Sequence, residues 1–584
     1  MELPALLIGL SGIIPIVEKS LDLWQSISEA NEFGTEMMKL VAMLSIEYHR
    51  FLAWARVLQQ QPPGSTAQQL DSQSIGGIIF PNDLNIQLQH PIESAAAQVV
   101  TILGEVAEIA RKYEVKDNSP SGKPASIAVG LSTVLPIVGA TQNPKVSSII
   151  ARNHEWGRIL QEKTSLRRRF TFTSRPWGKP DHTALEKKVK ELSYWNNRLE
   201  GLLPSHIRLS LSRQAPLTQI LTDENEALLE TLIKASEHQN EAVKAHAMLW
   251  RERIEFAKMN EASTTDMVKK YRRDALTLDP VPAAGSSKCS LSLVTIKDYQ
   301  DAPSLAVVEW YPYGKPTWSP SDITLASSRL AQIVHLSSLE ARPSSLRVPD
   351  TICFVEKPES LGLVIRLPLD ASRAKQPVSL HSLLTKTPEV VPGFRPPSLE
   401  QRLFLAQQLA SSVYSFGVVR WYHKDLNSWN IIFFRNSTAS ATLMFNSPYV
   451  TGFSISRPDS KTEKSLNKDL EARTIYLHPS LRVADPEQRP RYHLKYEMYS
   501  LGLLLFEIGV WRTIDRIVDA SLPPSEFKTK VMDRCTKDLP FFTGSQYREI
   551  VLRCLRAADE DSDGTDGSLD TLYWSVVLEL AKCR

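Results

Sequence analysis

The sequence predicts a multidomain protein, with an all-α helical bundle in its first part and a two-lobed α+β unit in its second. Three observations carry that expectation. Up to about residue 278, nearly every patterned segment has apolar residues three and four apart, the spacing that gives a helix one buried face. The composition then shifts at TLDPVPAAGSSK, residues 277–288, a Pro/Gly/Ser stretch suited to a boundary. Beyond it come short alternating apolar runs followed by helical patterns, the order expected of an α+β unit.

In the first part, helices are expected over 18–31, 35–60, 92–113, 183–202 and 218–262, with no clear strand. The last is the best marked: Thr222 is placed to cap it, acidic residues fill its first turn and basic ones gather later. After the linker, CSLSLVTI (289–296), LAVVEWY (305–311), TICFVE (351–356) and LGLVIRL (361–367) read as strands, with a helix over 322–340 among them. From 398 onward helices dominate. The expected division is therefore a bundle over 1–230, a long connecting helix over 231–276, the linker 277–288 and the α+β unit over 289–584.

A chain of 584 residues is too long for a single core. A net charge of +3 points to no nucleic acid, so electrostatic arguments must rest on local clusters. The 5 cysteines are widely spaced, with no metal-ligand pattern, which fits a reducing compartment. Residues 3–17, LPALLIGLSGIIPIV, are uncharged, but Glu2 stands where a secretory signal would be basic. The run also falls short of the roughly 20 residues that a spanning helix needs. A resting protein in the cytoplasm is the expectation.

The chemistry-bearing motif is His423-Lys424-Asp425-Leu426-Asn427-Ser428-Trp429-Asn430, between a helical pattern and the strand-like IIFF. It resembles the protein-kinase catalytic loop, in which the Asp takes the proton of the substrate hydroxyl and the Asn holds magnesium. Asp425 and Asn430 match those two positions. Downstream, Thr451-Gly452-Phe453-Ser454 lies where kinases carry D-F-G, Tyr476-Leu477-His478-Pro479-Ser480 resembles the end of an activation segment, and 497–503 resembles the opening of a buried kinase helix. The resemblance covers about 289–584.

The departures bear on activity. The metal-binding Asp is replaced by Gly452, the strand lysine by Glu309 or Trp310, and the Glu of A-P-E by Ser480. The helix 322–339 has no glutamate to pair with a lysine, and residues 285–304 hold no glycine-rich loop. Loss of the phosphate-binding lysine and the metal ligand removes most of the electrostatic stabilisation of phosphoryl transfer. A pseudokinase with no cofactor, and at most weak ATP binding, is expected; Asp425 and Asn430 are then vestigial.

The first part resembles the fungal HeLo domain, known from prion-controlled heterokaryon incompatibility and programmed cell death. The resemblance rests on the apolar first segment, on FGTEMMKLVAMLSIEYHRFLAWARVL with Arg50 four residues before Trp54, on Trp156 and Lys163, and on LEKKVKELSYWNNRLEGLLP. It implies a bundle that exposes its first helix on activation, oligomerises and meets the plasma membrane. Leu6, Leu10, Ile13 and Ile14 are then the membrane-contact candidates, unless that helix is simply core. RRRFTFTSRPWGK, with Arg167, Arg168, Arg169 and Trp177, suits anionic head groups or a solvated loop. The expected function is a membrane-permeabilising effector regulated by a degenerate kinase-like domain and protein partners. An unusual active Ser/Thr kinase with a helical scaffold and a pure interaction scaffold stay open as alternatives.

Overall fold

A computed structural model describes residues 35–59, 74–75, 78–79, parts of 95–106, then 179–214, 226–236, 240–274, 276, 278–280, 291–296, 304–312, 319–385, 394–438, 442–459, 471–483, 488–559 and 572–583. Its chain contacts divide into two units, Met1–Leu211 and Ser212–Arg584.

In the first unit, α1 (Thr35–Gln59) packs against α2 (Lys179–Gly201), and α3 (Ser205–Gln214) follows. Leu44, Phe51 and Trp54 on α1 and Val189, Leu192 and Leu199 on α2 are buried, each contributing about 1.5–3 kcal/mol. The Arg50–Trp54 spacing now has a physical meaning. Trp54 stacks on Phe51, while the Arg50 guanidinium donates to both Glu200 oxygens at 3.0 Å and to Glu47. Asn196 donates to the Glu47 carboxylate at 2.9 Å, so both buried carboxylates are hydrogen-bonded. Among the described residues, the expectation of no clear strand is broken by the hairpin of β1 (Ser74–Ile75) and β2 (Ile78–Ile79).

The stretch expected as one helix over 231–276 is interrupted. It forms α4 (Glu226–Ser236), α5 (Glu241–Lys258) and α6 (Glu261–Tyr271), because Asn240 and Asn260 each turn a side chain onto a backbone N–H and start a new helix. The linker is likewise not all loop, since β3 (Leu278–Pro280) pairs with β4 (Leu291–Ile296).

β5 (Ser304–Pro312), α7 (Pro320–Ser338), β6 (Thr351–Lys357) and β7 (Ser360–Arg366) complete a five-stranded antiparallel sheet of order β3-β4-β5-β7-β6. Along β5, Ala306 and Val308 join Val294, Ile296, Cys353 and Val364 in one core. The intervening Val307, Glu309 and Tyr311 therefore face the other side of the sheet. Helix α7 starts at a Ser319/Asp322 capping box and packs against β6.

The remainder is mainly helical: β8 (Val378–Ser379), α8 (Leu380–Thr385), α9 (Leu399–Val418), β9 (Trp421–Tyr422), β10 (Ile431–Phe433), β11 (Tyr449–Val450), β12 (Arg457–Pro458), α10 (Leu494–Val510), α11 (Pro524–Thr543), α12 (Ser545–Arg556) and α13 (Leu578–Lys582). Helix α10 is buried around almost its whole circumference, with α9, α11 and α12 against it. The C-terminal region is thus mixed α+β, with small sheets beside the larger one.

Candidate functional site

Two short ribbons, β9 with β12 and β10 with β11, hold the loop 423–430 between them. Asn427 shapes the loop from within. Its Oδ1 accepts from the Trp429 and Asn430 N–H groups, and its amide donates to the Asp425 carbonyl at 2.9 Å and to Asp425 Oδ1 at 2.7 Å. Asn430 Nδ2 also donates to the Asp425 carbonyl, at 2.7 Å. His423 Nε2 meets the Thr451 carbonyl at 2.7 Å, and the Thr451 N–H donates to the Asn430 carbonyl at 2.8 Å. The structure therefore brings Asp425, Asn430 and the turn at Gly452 together.

The most informative side chain is Glu309. It projects from β5, is 2% exposed, and accepts the Gly452 N–H at 3.2 Å and the Tyr311 hydroxyl at 2.6 Å. The Phe453 N–H donates to the Tyr311 oxygen at 3.3 Å. Burial first, then the Glu309 charge, pushes the Tyr311 phenol well above its usual pKa, so it stays a donor. Of Glu309 and Trp310, the two residues singled out on this strand, it is Glu309 that reaches the Gly452 turn. A buried carboxylate thus holds the turn at Gly452.

Sequence reasoning named Lys424 in the motif but missed the buried cations near it, Arg329 and Arg457. Lys424 is buried with φ +68°, and burial, then Arg329 and Arg457, lower its pKa to about 7. Arg329 is a buried residue of α7, the helix in which a glutamate was sought. Strand β5 and helix α7 thus each bury a charged side chain, the carboxylate of Glu309 and the guanidinium of Arg329.

Helix α10 anchors the loop with two buried carboxylates. Glu497 accepts from the Lys424 N–H at 2.6 Å and the Tyr492 hydroxyl at 2.8 Å. Glu507 accepts from the Tyr476 hydroxyl at 2.6 Å, which also lies 3.0 Å from Ser428 Oγ, and from the Ile514 N–H at 2.8 Å. Burial raises Glu507 to about 7. Between its unfolded value and 7 the folded state holds the extra proton, so this group's stabilisation is present at low pH and lost as pH rises. Relative to Glu507→Gln, the parent should lose about 1.4 kcal/mol per pH unit between about pH 5 and 7, read by urea denaturation at each pH. A pH-independent difference would mean that the carboxyl titrates normally.

Ser480 lies in the turn Pro479–Leu481, with its hydroxyl 2.8 Å from His478 Nδ1. It takes no part in the loop's hydrogen bonds among the contacts described. His478 Nε2 accepts from Lys528 at 2.9 Å, and Lys528 pairs with Asp559 at 2.5 Å. These side chains line a shallow, open surface cleft of about 310 Å³ that no spacing in the sequence foretold. Leu6, Leu10, Ile13, Ile14, Arg167, Arg168, Arg169 and Trp177, with Trp156 and Lys163, lie outside the described residues. Among the described residues no helix is long and apolar enough to cross a membrane, and no three His, Cys, Asp or Glu side chains gather as a metal site.

Comparison with protein families separates the chain into two matched regions. Residues 5–243 match the HeLo family, described as prion-inhibition and propagation, and residues 345–581 match a domain of unknown function, DUF7580. The first match supports a HeLo-domain protein, and the helical first unit is consistent with it. A search of curated proteins finds no match.

Proposed function

We propose that the chain is a HeLo-type cell-death or incompatibility effector whose second unit is a degenerate kinase-like control module. The observation carrying the second half of that reading is the Glu309 carboxylate on the Gly452 N–H. A nucleotide phosphate needs cations at that place. Bringing a second negative group within about 4 Å of the carboxylate costs about 4 kcal/mol at an effective dielectric near 20. Further support comes from the antiparallel sheet with one helix between its third and fourth strands in chain order, and from the loop that unites Asp425 and Asn430. The HeLo match supports the first half.

The proposed action is on anionic membrane, through the apolar residues 3–17 of an oligomer freed from its control module. Burying such side chains in lipid contributes about 2 kcal/mol each. Residues 1–230 alone should release dye from anionic liposomes, and the full chain much less. Ile13→Asp, which costs roughly 3 kcal/mol at a bilayer centre, should abolish release while circular dichroism shows helicity retained. Folded but inert protein in both forms would leave the scaffold reading, with both halves binding partner proteins and neither touching lipid.

A further inference from the structure

The segment between the two family matches is built into the second unit in a way that suggests regulation. On one side, α5 meets the helical part: His246 Nε2 lies 3.2 Å from Ser415 Oγ on α9, and Arg253 donates to the Asp459 carbonyl at 2.9 Å. The guanidinium groups of Arg253 and Arg420 both lie over the Trp250 ring, 5.7 and 5.4 Å from its centroid. On the other side, α5 meets the helix of the sheet layer. Glu252 Oε2 lies 2.8 Å from His335 Nε2 on α7, and the Tyr271 hydroxyl of α6 lies 2.7 Å from His335 Nδ1.

Each end has defined chemistry. The His335 hydrogen bond, then Arg251, hold Glu252 below the usual carboxylate range against the opposing effect of burial, so it is an acceptor only. Nε2 therefore carries a hydrogen toward Glu252, and Nδ1 shares the second hydrogen bond with the Tyr271 hydroxyl. Past α6 the chain runs onto the sheet edge, where the Arg273 N–H donates to the Phe354 carbonyl at 2.9 Å and Arg272 pairs with Glu356 at 2.6 Å. One continuous segment thus ties the helical part to the sheet.

Helix α4 is attached to that tie. Leu229, Leu232 and Ala235 are buried where it packs on α5, and Glu230 pairs with Arg251 at 2.9 Å. By sequence α4 falls within the HeLo match, which ends at 243, yet by packing it belongs to the unit Ser212–Arg584. We propose that α5 is a clasp across the two layers of the second unit, and that opening it releases α4, the end of the HeLo segment. The module would then signal through sheet-to-helix geometry, with no phosphoryl transfer required.

Hydrogen exchange on the full chain tests this without membranes or nucleotide, so its failure is separate from failure of the effector reading. Glu252→Gln weakens the His335 end at nearly constant volume, and Trp250→Ala removes the ring that both arginines lie over. Both should speed amide exchange in 226–236 and in 320–338, by about threefold and about tenfold, and leave α10–α12 at the parent rate. Glu255→Gln, on the exposed face of the same helix, should change nothing. If Trp250→Ala accelerates every segment, it has unfolded the unit and Glu252→Gln decides. Exchange of 226–236 at the parent rate in Glu252→Gln overturns the proposal.

Discussion

Gly452→Asp, which under the proposed kinase-like reading writes back a metal-binding carboxylate, should destabilise the second unit by more than about 3 kcal/mol and confer no phosphoryl transfer. Gly452 has φ +90°, and a Cβ there would fall 2.3 Å from Asn430 Nδ2 and 2.4 Å from Asn430 Cγ. Holding a non-glycine residue in a sparsely populated conformation costs about 1–3 kcal/mol before any clash is counted. The clash adds to this because Asn430 is held on the Asp425 carbonyl. Since the Cβ alone does the damage, Gly452→Ala should lose nearly as much as Gly452→Asp. Adding Asn430→Ala should recover part of the loss, a non-additivity expected of touching residues. Denaturant titration reads all three variants. A Gly452→Asp protein of parental stability would mean that the turn tolerates a side chain.

Glu309→Lys is the complementary change under the same proposed reading, and it too should fail. The carboxylate accepts the Gly452 N–H and the Tyr311 hydroxyl, and a lysine can accept neither. The new charge would enter a region where Arg329 and Arg457 already lower the Lys424 pKa. Breaking a buried, hydrogen-bonded charge arrangement costs about 3–5 kcal/mol. Glu309→Gln keeps an acceptor and should lose much less. Neither variant, nor the parent, should gain thermal stability from ATP with magnesium. A ligand at 100 times its dissociation constant would add about 2.7 kcal/mol, so a bound nucleotide is easy to see. A large magnesium-dependent shift in the parent, or phosphorylation that Asp425→Ala abolishes, would instead favour an atypical active kinase.

Much of the local structure was legible from periodicity. Helix α7 was expected over 322–340 and spans Pro320–Ser338, and the strand expected at 361–367 is β7, Ser360–Arg366. Both patterns are set by neighbours within a turn or a pleat. The same reasoning ran one helix through Asn240 and Asn260. Apolar spacing continues across those residues, whereas the side-chain caps that divide the helix appear only once the backbone has turned.

The candidate site divides along the same line. The sequence by itself placed Asp425 and Asn430 in one loop and marked Gly452, Glu309 and Ser480 as departures, because each is a residue type at a countable distance from a motif. Tertiary structure alone decided what those departures do. Glu309 reaches Gly452 across 143 residues of chain, and Arg329 is buried on a helix whose charge content had counted only as an absence. It also made Gly452 irreplaceable in its conformation, by setting Asn430 against it. Periodicity reports what a residue buries, but not which distant backbone group a buried carboxylate meets. That meeting is set by how the sheet docks on the helical layer, a long-range arrangement that leaves no period in the chain.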